Sequence, residues 1–205
     1  ARMQQALAEI AAMDPEEVPL AAQVRRLLLQ SRLARGADGP GGGAGGLLDE
    51  ALGLVPEGER ADLRWPLVIE RARDLPAAEA LPVLLDALAA CRAIGHGGSA
   101  LAALLRLADA ARALDPPRAA AWARDALVLG QTLEPATMYR AELWWLAARA
   151  LQAAGQADEA GRAATAGAGW VRATAAGQVP APFRDSFLAR NPVNASLLGW
   201  AVQGA

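Results

Sequence analysis

Hydrophobic residues recur along most of this chain at the three-to-four-residue spacing of amphipathic helices. From residue 59 onward the pattern predicts one helix after another, separated by short breaks that carry Gly or Pro. Pro66 is expected to kink or split the first of these helices, and Asn191-Pro192 to divide the last. Because the breaks are short, neighbouring helices are expected to run antiparallel and pack in pairs. The predicted helices span residues 59–74, 77–94, 99–114, 117–131, 135–154, 157–176 and 182–201.

The first third of the chain is less regular. Helical spacing predicts one helix at residues 3–13 and a second one ending near residue 34. The following segment reads GADGPGGGAGG, a composition that predicts a flexible linker without helix. A short helix is expected directly after it, at residues 47–54. The predicted domains are therefore a helical pair at 1–35, a linker at 36–46 and a repeat domain with C-terminal capping helices at 47–205.

The helix pairs recur about every 34–40 residues, the spacing of helical-repeat proteins. The clearest pair covers residues 141–174, where Trp144 is the large residue of the first helix and Ala148 the small residue at the crossing. This order of residues resembles the tetratricopeptide repeat. The resemblance implies an all-α fold of stacked antiparallel helix pairs, an α-solenoid. Leu151, Gly155 and Ala160 continue the pattern in this pair, and a preceding pair matches it loosely at Leu104, Ala108, Ala111, Asp115 and Ala120.

The C-terminal segment, residues 179–198, resembles the closing part of helical-repeat regions in large bacterial signalling ATPases and transcriptional regulators. The resemblance implies that this chain is the sensing or partner-binding piece of a larger regulatory protein, and it brings no catalytic residue. The start of the chain without Met likewise predicts a fragment. Apolar residues in this region are expected to form a cap over the last helix pair: Phe183, Phe187, Leu188, Leu197, Leu198 and Trp200.

Composition narrows the classes of partner. Hydrophobic residues make up 54% of the chain and charged residues 20%, which suits a chain with a sizeable core. All twenty basic residues are Arg, the net charge is −2, and basic and acidic residues alternate, so nucleic acid is not expected as a partner. No apolar run approaches the roughly 18–20 residues of a membrane span. A single Cys excludes an internal disulfide and favours a reducing, cytoplasmic location.

Residues with catalytic chemistry are sparse. His96 is the only histidine and lies in a Gly-rich turn, and Cys91 is expected to be an inert thiol in a helix core. The glycines of residues 41–46 lack the Lys and Ser/Thr of a phosphate-binding loop. We therefore expect no enzyme activity, no cofactor and no metal site.

Two adjacent tryptophans provide the best candidate for a binding surface. Neighbouring residues on a helix point about 100° apart, so Trp145 must face away from the side occupied by Trp144. In the tetratricopeptide arrangement this second position faces the concave groove. The alternative is that Trp145 packs beneath the C-terminal cap or the next helix pair. The predicted partner-binding residues are Trp145, Arg149, Gln152 and Glu142, together with Leu105, Asp109 and Arg112 from the preceding pair.

The leading hypothesis from the sequence is a non-enzymatic module that binds a protein or peptide segment, or a neighbouring domain of the same polypeptide. The alternative is a small-molecule sensor that uses the concave face of the helical array. A purely architectural role, such as dimerisation, also remains open at this point.

Overall fold

The structure is a computed structural model that describes residues 18–38 and 43–203. Every regular element in these residues is helical, which confirms the all-α prediction. Two short 3₁₀ turns lie at Ala72–Asp74 and Ala181–Phe183. The α-helices are α1 (Leu20–Asp38), α2 (Ala44–Gly53), α3 (Ala61–Arg71), α4 (Ala77–Ala93), α5 (Gly97–Ala111), α6 (Pro116–Leu129), α7 (Ala141–Ala153), α8 (Ala157–Gly177), α9 (Arg184–Ala189) and α10 (Pro192–Gln203).

The chain divides into two compact units, residues 1–76 and 77–205. In the first unit α2 packs on α1 and on α3. The structure differs from the sequence-based expectation at both ends of the Gly-rich segment, since α1 continues to Asp38 and α2 already begins at Ala44. Packing explains the early start of α2, because Ala44 and Leu48 are buried. The helix predicted at residues 3–13 lies outside the described residues.

A buried carboxylate joins α1 to α3 in this first unit. Glu70 is 1% exposed and accepts a hydrogen bond of 2.7 Å from Arg35, and Arg73 also donates to it. Arg35 extends to Asp74 through a second bond of 2.7 Å. A buried carboxylate needs such partners, because an unpaired charge in the interior costs several kcal/mol.

Helix α3 continues without interruption through Pro66, so the expected split does not occur.

In the second unit α4 to α8 each pack on the next helix along the chain. Helix α5 also contacts α7, and α10 packs on α8 and on α7. The buried residues are mostly alanines, which allow the helix axes to approach closely. Among the described residues, none of the helices combines the length and the apolar character needed to cross a bilayer.

The tightest point of this unit lies on α8. A Cβ atom added to Gly167 would lie 2.7 Å from the Cβ of Trp144 on α7 and 3.0 Å from Leu197 on α10. Real Cβ atoms essentially never approach other atoms as closely as the first of these distances. Three helices therefore meet at a position that only glycine can occupy without displacement.

Helix α7 begins at Ala141, six residues later than the predicted start at Pro135. The preceding loop is held in an irregular conformation by Arg140, whose guanidinium donates to the carbonyls of Gly130 (3.0 Å) and Leu133 (3.3 Å). Ala136 donates its amide hydrogen to the carbonyl of Gly98 at 2.8 Å. The backbone groups of this loop therefore find hydrogen-bond partners without forming a helix, which explains why α7 begins only at Ala141.

The predicted division at Asn191-Pro192 is confirmed, since α9 ends at Ala189 and α10 begins at Pro192. The Asn191 side chain caps α10 by accepting the amide hydrogens of Val193 and Asn194. Asn194 is buried, accepts a hydrogen bond from the Tyr139 hydroxyl (2.9 Å) and donates one to the carbonyl of Phe187 (2.8 Å). This polar network fixes how α10 docks against the start of α7.

The C-terminal cap matches its prediction except at one residue. Leu197 is fully buried, and Phe187, Leu188, Leu198 and Trp200 pack against the core of the second unit. Phe183 instead is 62% exposed. It belongs to the 3₁₀ turn and not to α9, and residues four apart do not share a face at three residues per turn, so the predicted i, i+4 stripe does not form at its first position.

The close approach at Gly167 predicts a large difference between two otherwise similar substitutions. Gly167→Ala is expected to destabilise the protein by about 1–3 kcal/mol, because the added methyl group would lie 2.7 Å from the Cβ of Trp144 and the helices would have to move apart. Urea denaturation followed by circular dichroism measures the change.

Gly169→Ala is the matched control. Gly169 lies on the same helix, and a methyl group added there meets no neighbouring atom within 4 Å. This variant is expected to gain roughly 0.5–1 kcal/mol from helix propensity. Equal midpoints for both variants would contradict the close crossing.

Candidate functional site

The adjacent tryptophans of α7 point to different sides of the helix, as predicted. Trp144 contacts the ring of Trp170 on α8, with 5.8 Å between ring centroids. Trp145 instead meets Trp200 of α10 edge to face, also at 5.8 Å. The guanidinium of Arg149 lies 5.5 Å from the centre of the Trp145 ring. Trp145 is half-buried, so its ring contacts the C-terminal cap and still reaches solvent.

A small group of charges extends from Arg149, which lies beside Trp145. Asp109 of α5 accepts a hydrogen bond of 3.2 Å from Arg112 and lies 3.4 Å from Arg149. All three side chains are about one-third exposed. Two guanidinium groups therefore share one carboxylate, which leaves an excess of one positive charge. We refer to this surface as the Trp145 face, defined by Trp145, Trp200, Arg149, Arg112 and Asp109.

A second ion pair joins α5 to α7. Arg106 donates to Glu142 at 3.0 Å and is only 6% exposed. Glu142 was predicted to lie on the contact surface, whereas in the structure its carboxylate neutralises a buried guanidinium. Arg106 was not predicted to take part, although a charged residue within the run Leu104-Leu105-Arg106-Leu107 is a signal for a buried ion pair.

Of the two remaining predicted contact residues, Gln152 is accessible to a partner and Leu105 is not. Gln152 is exposed on α7, one turn beyond Arg149. Leu105 is 0% exposed and belongs to the core, so it contributes no contact surface. Helix α5 packs on α4, α6 and α7, and three neighbours enclose this position. Trp200 was not among the predicted contact residues, because nothing in the sequence shows which side of α7 the C-terminal helix covers.

A separate cleft of about 500 Å³ lies along α5 between the C-terminal parts of α4 and α6. We call it the α4–α6 cleft. Its apolar floor includes Ala100 and Leu104 of α5. The full lining consists of Cys91, Arg92, Gly95, Gly97, Ala100, Leu104, Asp125, Val128 and Leu129.

The only cysteine of the chain lies in this cleft with its side chain buried. Burial raises the pKa of the Cys91 thiol to about 11, from an ordinary value of 9.0. The thiol is therefore protonated at neutral pH and is a poor nucleophile. Among the described residues, no group of three or more His, Cys, Asp or Glu side chains is placed to hold a metal ion.

Comparisons with known proteins give no relative from which a role could be carried over: no protein-family model, curated protein or solved structure matches this chain.

The raised pKa of Cys91 predicts a loss of stability in alkali. Below about pH 9 both folded and unfolded chains keep the thiol proton. Between pH 9.0 and about 11 the unfolded chain releases this proton while the folded chain retains it, so the free energy of unfolding falls as the pH rises. Urea denaturation at a series of alkaline pH values measures this fall.

Cys91→Ala is the reference for the same series, because the variant has no thiol to titrate. Its overall stability is expected to be lower, since it loses a buried sulfur, but its decline with pH should be shallower. Parallel pH profiles for the two proteins would argue against a buried, neutral thiol.

Proposed function

We propose that helices α4–α10 form a tetratricopeptide-like solenoid of stacked helix pairs. The contacts between alternate helices support this arrangement: α5 meets α7, and α7 meets α10, while each also packs on its sequence neighbours. The residue pattern of the repeat agrees with it, because Ala148, Leu151 and Ala160 are fully buried. Gly155 lies in the turn between α7 and α8 with φ +73°, a conformation that favours glycine.

The solenoid presents, in this proposal, the Trp145 face as the binding surface for a protein or peptide segment. One observation carries the proposal: α5, α7 and α10, helices from three different pairs, bring two tryptophans and two arginines to one partly exposed surface. Tryptophan and arginine are the residues most enriched among those that dominate binding energy at interfaces. The position of Trp145 against the cap lowers its flexibility before binding, which reduces the entropic cost of association.

The charge on this surface favours an acidic partner. Arg112 and Arg149 share Asp109, so each guanidinium retains unused hydrogen-bond donors. Ion pairs between partly exposed groups contribute only about 0–1 kcal/mol, and a partner carboxylate can replace or extend them at little cost. We therefore propose a segment in which a carboxylate lies beside an aromatic or large apolar side chain.

The wider role follows from the sequence resemblance of residues 179–198. We propose that the chain is a non-enzymatic, cytoplasmic part of a larger regulatory protein, in which the Trp145 face receives a partner or a neighbouring domain. The neutral, buried thiol of Cys91 supports the non-enzymatic assignment, since it removes the chain's one strong nucleophile.

Selection from a random peptide library displayed on phage tests the proposed surface. We expect enrichment of peptides with Asp or Glu next to Trp, Phe or Leu. The affinity of a selected peptide, measured by fluorescence anisotropy, should fall about tenfold or more in Trp145→Leu and in Arg149→Gln. Circular dichroism and urea denaturation of both variants should show that the fold is retained.

The chain contains a matched control for these two substitutions. Arg118 lies over the ring of Trp122 at 4.7 Å on α6, and neither residue is among those that define the Trp145 face. Trp122→Leu and Arg118→Gln should leave peptide affinity unchanged. The proposal fails if these controls weaken binding as strongly, or if no peptide is enriched. Unfolding of Trp145→Leu would instead assign Trp145 to the core.

A further inference from the structure

The α4–α6 cleft is an open groove that is large enough for a small ligand. Its volume of about 500 Å³ falls within the range of about 300–1,000 Å³ that is usual for small-molecule pockets. Ala100, Leu104 and Leu129 give it an apolar surface. Val128 also lines it and is 67% exposed, so an apolar side chain at its rim is left uncovered by the rest of the protein.

One charge of each sign lies on the two walls of the cleft. Arg92 belongs to α4 and Asp125 to α6, and both residues are exposed. Within residues 18–38 and 43–203, neither the Arg92 guanidinium nor the Asp125 carboxylate forms an ion pair. Other arginines of this part of the chain, such as Arg71, Arg124 and Arg149, do form ion pairs. Both charges are therefore available to a ligand that enters between the walls.

The separation of the walls limits the kind of ligand. Helices α4 and α6 both pack on α5 but do not pack closely on each other, so their axes lie farther apart than the roughly 8–10 Å of packed neighbours. The ammonium and carboxylate groups of a free amino acid are too close together to reach both walls. An extended chain advances roughly 3.3–3.6 Å per residue, so two or three residues span about 7–11 Å.

We propose that the α4–α6 cleft binds a short zwitterionic peptide of two or three apolar residues, with its N-terminal ammonium at Asp125 and its C-terminal carboxylate at Arg92. The apolar side chains of the peptide lie on Ala100, Leu104 and Leu129. A ligand with only negative charge would place an uncompensated carboxylate near Asp125, and a purely cationic ligand would meet Arg92, so the two walls together select a zwitterion.

This cleft is distinct from the Trp145 face. Successive helix residues are about 100° apart, and on α5 the cleft residues Gly97, Ala100 and Leu104 are centred roughly 110° from Asp109 and Arg112. Both surfaces nevertheless use the same helix. The proposal for the cleft stands on its own volume and charges and does not depend on the function proposed for the Trp145 face.

Isothermal titration calorimetry with the tripeptide Leu-Ala-Leu tests the proposal on the whole chain. We expect saturable binding to one site at millimolar or lower concentration. The N-acetylated and the C-amidated forms of the same peptide each lack one terminal charge, and each should bind about tenfold more weakly or worse.

Variants of the cleft make the test specific to the two walls. In Asp125→Asn, N-acetylation should no longer weaken binding, whereas C-amidation still should; Arg92→Gln should show the reverse. Both residues are exposed, so neither substitution threatens the fold. Arg172→Gln and Asp158→Asn, at exposed positions of α8 outside the cleft, are the matched controls and should bind the free peptide like the wild type.

The proposal is overturned if Leu-Ala-Leu gives no saturable heat at millimolar concentration, or if the blocked peptides bind as well as the free one. It is also overturned if each cleft variant weakens the binding of all three peptides equally, because Arg92 and Asp125 would then not contact the charged peptide termini. Trp145→Leu should leave tripeptide binding unchanged; a loss there would place the peptide on the Trp145 face instead.

Discussion

Helices α7 and α8 approach each other so closely at Gly167 that a methyl group in this position would meet the Cβ of Trp144 at 2.7 Å. The arrangement of the second unit depends on this crossing. Trp144 is held on the side of α8, where it contacts Trp170, and the adjacent Trp145 must therefore face away from α8. Leu197 of α10 packs against the same glycine, so this crossing also positions the C-terminal helix. Trp200 lies one turn further along α10 and reaches Trp145.

Three groups of ionic contacts in this chain have different physical roles. Glu70 is buried among arginines, and its network holds α1 to α3 because an unpaired buried carboxylate would be costly. The pair of Arg106 and Glu142 joins α5 to α7 in the same way. The contacts of Asp109 with Arg112 and Arg149 are partly exposed and therefore contribute little to stability. These partly exposed ion pairs can therefore be broken without loss of the fold, as the binding role proposed for the Trp145 face requires.

The abundance of alanine accounts both for the tight core and for the open α4–α6 cleft. Small side chains let consecutive helices approach closely, which produces the tight core around Ala148, Ala160 and Gly167. The same small residues fill less space where α4 and α6 pass on either side of α5, and Ala100 lies on the floor of the cleft there. Close packing at one position and an open cleft at another thus have a common origin in side-chain volume.

The helical class, most helix boundaries in the second unit and the different directions of Trp144 and Trp145 could all be predicted from the sequence. These features follow from local rules: helical periodicity, the breaks at Gly and Pro, and the fixed angle between neighbouring residues. Asn191-Pro192 divided the last helix where the sequence predicted, because a side-chain cap and a following Pro act within a few residues.

Features that depend on contacts between residues distant in the chain could not be predicted in this way. The late start of α7 results from the contact of Ala136 with Gly98, and the burial of Leu105 results from the helices around α5. The pairing of Glu142 with Arg106, the meeting of Trp145 with Trp200 and the opposed charges of the α4–α6 cleft each combine two or more helices. Periodicity shows which side of a helix is apolar, but it does not state which helix covers that side, and packing between distant segments supplies this information.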